Sequence, residues 1–129
     1  MSQRAAIPDA AMTITPGYSW RLDLDVMFNG VRPDDWPDWC VRMHVWGGCQ
    51  AFSLTVGDGV RFAEVPDLHE ADAPHVIPVI EMSAARTSML RDVPAITYVI
   101  DLQAPGGEPE DYFAGQIKTV FAPPPELLG

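Results

Sequence analysis

Two carboxylates, Asp23 and Asp25, stand two residues apart in the stretch "YSWRLDLDVMF" at 18–28. On an extended strand, residues two apart point the same way at about 6.6 Å spacing. That separation overlaps the one glycoside hydrolases use, where one acid protonates the leaving oxygen and the other activates water or attacks. Such a pair works only if different surroundings keep one acid protonated. Here Arg21, Asp23 and Asp25 form a plain polar stripe opposite Tyr18, Trp20, Leu22, Leu24, Val26 and Phe28. The pattern is that of a half-buried strand with one wet face, so the pair is expected to be solvated rather than catalytic.

A second constellation, "HEADAPH", supplies His69, Glu70, Asp72 and His75. Two imidazoles and two carboxylates are zinc-ligand types. The His-x5-His spacing matches neither the i, i+4 pair of a helical zinc protease nor a zinc finger, and Pro74 forbids a helix there. No metal and no cofactor are expected. Among the four tryptophans, Trp36 and Trp39 lie on an acidic, proline-bearing loop, "VRPDDWPDW". Flat aromatic faces of this kind stack on sugar rings, which makes a carbohydrate-binding module using Trp36 and Trp39 the alternative reading, although such residues more often plug the open end of a sandwich. No G-x-S-x-G, P-loop or dinucleotide fingerprint occurs, and the chain is read as non-enzymatic. Cys40 and Cys49 form no metal or redox motif and are expected to be thiols.

The elements that must carry these residues are short. Apolar alternation marks strands at Tyr18–Phe28, "CVRMHVW", "AFSLTV", "VRFAEV", "VIPVIEM", "AITYVIDL" and "YFAGQIKTVF", separated by turn pairs such as Asn29-Gly30, Gly47-Gly48 and "GDG" at 57–59. Pro78 points to an edge strand or a bulged one over Val76–Met82, and as an edge it would be open to strand addition by a neighbour. One short helix is expected over 83–92, capped by Ser83, with Met82, Ala85 and Met89 on one face and Pro94 at its end. About seven short strands with regular turns predict an all-β fold, an Ig-like β-sandwich of antiparallel strands. The sandwich would span 13–121, between an N-terminal arm at 1–12 and a proline-rich C-terminal arm at 122–129.

The chain has 129 residues, 18 acidic against 8 basic side chains and a net charge of −10. A field of that sign repels phosphate backbones and anionic lipid, so neither nucleic acid nor membrane is an expected partner. "MSQRAAIPDA" lacks the apolar core of a signal peptide, and synthesis in the cytoplasm is expected.

Taken in order, these segments resemble small β-sandwich proteins of tailed bacteriophages and prophages, similar to the N-terminal domains of upper-baseplate and tail-fibre attachment proteins. "WRLDLDVMF" matches the first strand. "DDWPDWCVRMHVW" matches the corner, with Asp35 and Trp36 in its Asp-Leu places and Trp39 in its aromatic place. "VGDGVRF" matches the glycine turn, "SAARTSML" the helix, "ITYVIDLQAPGG" the penultimate strand and loop, and "AGQIKTV" the last strand. The resemblance runs from about residue 15 to 122. It implies a virion structural protein of the tail, baseplate or fibre attachment, assembled in the host cytoplasm with other virion proteins as a symmetric homo- or hetero-oligomer. It brings no catalytic residues. Its working surfaces would be loops and arms, here Trp36, Trp39, Pro123, Pro124, Pro125, Leu127 and Leu128.

Overall fold

The structure is a computed structural model that describes residues 11–28, 30–31, 33–65 and 75–120. It is all-β, with eight strands: β1 (Met12–Ile14), β2 (Trp20–Asp23), β3 (Cys40–Gly47), β4 (Gln50–Val56), β5 (Gly59–Val65), β6 (His75–Met82), β7 (Ile96–Gln103) and β8 (Glu110–Thr119). One helical turn and a half, α1 (Ala84–Ser88), follows β6, and a 3-10 turn covers Trp36–Asp38.

The strands form one ladder in the order β1-β8-β7-β3-β4-β5-β6-β2. β1 and β2 are consecutive in sequence yet lie at opposite ends of it. Laid flat, eight strands would put those ends roughly 33 Å apart, whereas the link between Ile14 and Trp20 reaches about 20 Å at most. The ladder therefore rolls over on itself into two layers, β1-β8-β7-β3-β4 and β5-β6-β2. The fold line is the β4–β5 junction, where only Thr55↔Gly59 and Val56↔Val60 pair. Gly59 is required there. Its φ is +100°, and a Cβ would sit 2.7 Å from the Leu54 side chain.

One core lies between the layers. β3 alternates strictly, with Val41, Met43 and Val45 buried and Arg42 and His44 half-exposed. Its register matches Val41↔Leu102, Met43↔Ile100 and Val45↔Tyr98 on β7, so the buried parities coincide. Leu54 of β4 joins them, and Val60, Ile80 and Met82 close the cluster from the other layer. Each fully buried side chain of this size contributes about 1.5–3 kcal/mol.

Several sequence expectations are corrected. The strand expected over 18–28 ends at Asp23, and the reason is Pro78. In the register Asp23↔Val79, Leu24 would exchange two hydrogen bonds with residue 78. Leu24 N donates to Pro78 O at 2.9 Å, but proline has no N–H to return, and the ladder stops. Tyr18, expected inside, is 59% exposed. Val76–Met82 is not an edge: β6 pairs with β5 on one side and β2 on the other. The N-terminal arm expected to reach residue 12 gives way to β1 at Met12, which pairs parallel to β8. The helix is shorter than 83–92. Ser83 caps it as expected, accepting from Arg86 N at 3.1 Å, but the chain turns out of α1 and Asp92 adopts φ 63°. Its buried residue is Thr87, with Leu90 beyond its end, while Ala85 and Met89 are exposed. The C-terminal arm lies outside the described residues.

Candidate functional site

The outer face of the β1-β8-β7-β3-β4 layer carries a chain of polar contacts. β3 and β4 are joined by a two-residue turn, Gly48-Cys49, closed by the pair Gly47↔Gln50. Bonded and non-bonded pairs alternate from that closing pair. His44↔Ser53 is therefore a non-bonded pair, the kind in which side chains approach closest. Ser53 Oγ lies 2.7 Å from His44 Nδ1. On the other side His44 Nε2 lies 2.7 Å from Asp101 Oδ2, and Arg42 Nε donates to Asp101 Oδ1 at 2.8 Å. A carboxylate only accepts, so the neutral imidazole carries its proton on Nε2 and accepts the Ser53 hydroxyl at Nδ1. Asp101 is 5% exposed, and its two partners replace the water it has lost.

Next along β3 on the same face stands Trp46, 43% exposed. Its neighbours across the ladder are Ala51 on β4 and Thr97 on β7. Both are smaller than the indole.

Ser53, His44 and Asp101 follow the order of an acyl-transfer relay. Such a relay also needs a substrate cleft and oxyanion donors. Ser53 is exposed in mid-strand on an open sheet face. The cavity of about 500 Å³ between β2, the β4–β5 turn and α1 is lined by Trp20, Arg21, Asp58, Glu81 and Arg86 among others, and none of the three relay residues reaches it. The contacts suit an ordered hydrogen-bonding surface better than a nucleophile.

A second feature closes one end of the sandwich. The loop into β3 and the β7–β8 loop meet there, because Cys40 pairs with Gln103. Pro37 in the 3-10 turn helps place Trp36 in the core at 0% exposure. Trp39 packs 4.8 Å from Trp36 and stacks on Phe28 at 5.4 Å. Tyr112 meets Phe28 edge-on at 5.5 Å. A β-bulge aims it there, since Asp111 and Tyr112 together oppose Asp101 and an extra residue re-aims its side chain. Carboxylates hold the outer rims: Trp39 Nε1 donates to Asp35 at 2.8 Å and Tyr112 OH to Glu110 at 2.9 Å. Around them Asp34, Asp38, Glu108 and Asp111 are exposed. Met27 and Val31 are 52% and 66% exposed. The isolated bridge Phe28↔Val31 brings them beside the aromatic cluster.

Trp36 offers no face to a sugar, and Trp39 is half-buried against two other rings, so the platform expected from that pair does not exist. Asp23 and Asp25 do not share a strand face. Asp23 accepts from Arg21 Nε at 2.7 Å on β2, while Asp25 lies beyond the strand with Oδ2 3.6 Å from His75 Nε2. Beside Asp23, the hydrogen bond from Arg61 holds the Glu81 carboxyl below the usual range and in return raises Arg61. His69, Glu70, Asp72, Pro123, Pro124, Pro125, Leu127 and Leu128 lie outside the described residues. Among the described residues, no group of three or more His, Cys, Asp or Glu is placed to hold a metal ion, and no helix is long and apolar enough to cross a membrane. Cys40 and Cys49 are free thiols at opposite ends of β3. The sequence offers Trp46 only as one of four tryptophans, without a site of its own, and Ser53 and Asp101 do not stand out in it. The available signal was their outward parity on otherwise apolar strands.

Searches of known families and curated proteins returned no family model and no curated sequence that matches the chain.

Proposed function

We propose that this chain is a non-enzymatic assembly module that works through protein–protein contacts at the acidic, aromatic end of its sandwich. The observation that carries this reading is the pair Met27 and Val31, both more than half exposed beside a packed aromatic cluster. Exposed apolar groups with a polar rim are the usual anatomy of a docking surface. The rim here is carboxylate, so the partner surface is apolar at its centre and basic at its margin. The resemblance to phage sandwich proteins supplies the setting, a tail, baseplate or fibre attachment within a symmetric assembly.

The test is quantitative mass spectrometry of particles purified from an induced culture of the source strain. A fixed copy number relative to the major tail proteins, resistant to salt washing, is expected. Val31→Asp should remove the protein from particles without lowering its melting temperature. Absence of the wild-type chain from particles would overturn the virion setting. Unchanged incorporation of Val31→Asp would overturn the docking surface.

A further inference from the structure

We propose that the outer face around Trp46 binds a neutral oligosaccharide. This site lies on the open sheet, apart from the end surface assigned to assembly, and is carried by different residues.

A tryptophan on the wet side of a strand leaves a large apolar plane in water. Trp46 does so at 43% exposure, with the small residues Ala51 and Thr97 as its cross-ladder neighbours. The same parity of β3 then presents His44 and Arg42, with Ser53 and Asp101 beside them. Aromatic plane and polar groups thus lie in line along one strand. From Trp46 to Arg42 the span is about 13 Å, room for a short oligosaccharide rather than a single ring. The indole face would stack on the C–H face of a pyranose, and the hydroxyls would meet the polar set.

That set is ordered in advance. His44 is held from both ring nitrogens, and Arg42 is fixed through Nε, while its terminal N–H groups, which make no hydrogen bond among the described residues, can donate to sugar hydroxyls. Ser53 Oγ, whose proton goes to His44 Nδ1, still accepts. Asp101, nearly buried, is a positioning residue that fixes Arg42 and His44. Groups already immobilised lose little entropy on binding. Charge narrows the class further. The guanidinium of Arg42 is matched by Asp101, and the chain carries −10, so sulfated or uronic glycans are repelled.

The experiment is calorimetric titration of the full chain with maltohexaose, cellohexaose, chitohexaose and mannohexaose, repeated with Trp46→Ala and Trp46→Phe. Trp46 is exposed, so both variants should keep the wild-type circular dichroism and melting temperature. Saturable binding to one of these glycans is expected, weakened at least about tenfold in Trp46→Ala and partly retained in Trp46→Phe. No binding across the panel, or equal binding by Trp46→Ala, would overturn the proposal. So would a Trp46-dependent dimer in sedimentation velocity, which would make this face an interface between copies. Particle incorporation of Trp46→Ala should stay at the wild-type level, which separates this site from the assembly surface.

Discussion

Asp101 shows how one side chain sets the character of a surface. Its carboxylate is 7% exposed and serves two donors that are themselves about one-third exposed, Arg42 at 33% and His44 at 37%. Removing it leaves both partners searching for acceptors, though water reaches them and softens the loss. Asp101→Ala should cost about 1–2 kcal/mol in urea unfolding, whereas Ser53→Ala, at the exposed end of the chain of contacts, should stay within about 0.5 kcal/mol. A larger loss from Ser53→Ala would mean that the hydroxyl, not the carboxylate, organises the face. The Arg61–Glu81 pair, at 2.8 Å, gives a pH statement with a definite sign. Because Glu81 is held below its ordinary range in the folded state, its contribution is present above that range and is lost as pH falls through the depressed value. Arg61→Met should move the Glu81 titration, followed by carboxyl NMR, upward toward the ordinary value. An unmoved midpoint would show that Arg61 is not its cause.

At the level of elements, the critical piece is the link between β1 and β2, which must cross from one end of the rolled ladder to the other. α1 fastens it. The buried Thr87 hydroxyl accepts from Gly17 N at 3.1 Å and donates to Tyr18 O at 2.8 Å, with Ala84 O at 3.1 Å. Thr87→Val keeps the shape but strands the Gly17 and Tyr18 backbone groups. It should cost about 1–3 kcal/mol at unchanged m-value, and Thr87→Ser should recover most of that. Equal stability of Thr87→Val and wild type would mean that packing alone holds the crossing. Local pattern made the strands themselves readable. The parity of "CVRMHVW" and the Ser83 cap appear in the structure as the sequence implies. What local pattern does not contain is which strands become neighbours. Pro78 reads as an edge signal, yet β6 has a neighbour on each side, and the missing donor only cuts β2 short at Asp23. Trp36 reads as a loop residue that either shows its face or plugs the end of the sandwich, and the 3-10 turn folds it inward as the plug. The Trp46 face was hidden for the same reason. Its members come from β3, β4 and β7, and only the pairing brings Ser53 and Asp101 to His44.

For the whole molecule, 18 acidic side chains against 8 basic ones make electrostatics a net strain on folding and, at the acidic end, an attraction for a basic partner. The two effects respond to salt with opposite signs. The Debye length falls from about 30 Å at 0.01 M to about 8 Å at 0.15 M ionic strength. Over that interval repulsion among dispersed carboxylates is screened, while a short pair such as Arg61–Glu81 at 2.8 Å loses less. Melting temperature should therefore rise by several degrees as sodium chloride is added. Attachment through the acidic end should slow over the same range, because its carboxylates no longer steer the partner at a distance. Neutral-sugar binding at Trp46 should barely change. Thermal unfolding followed by circular dichroism across this salt series checks the first of these. A melting temperature that falls instead would show that local ion pairs outweigh the summed repulsion, and the acidic end would lose its claim to long-range attraction.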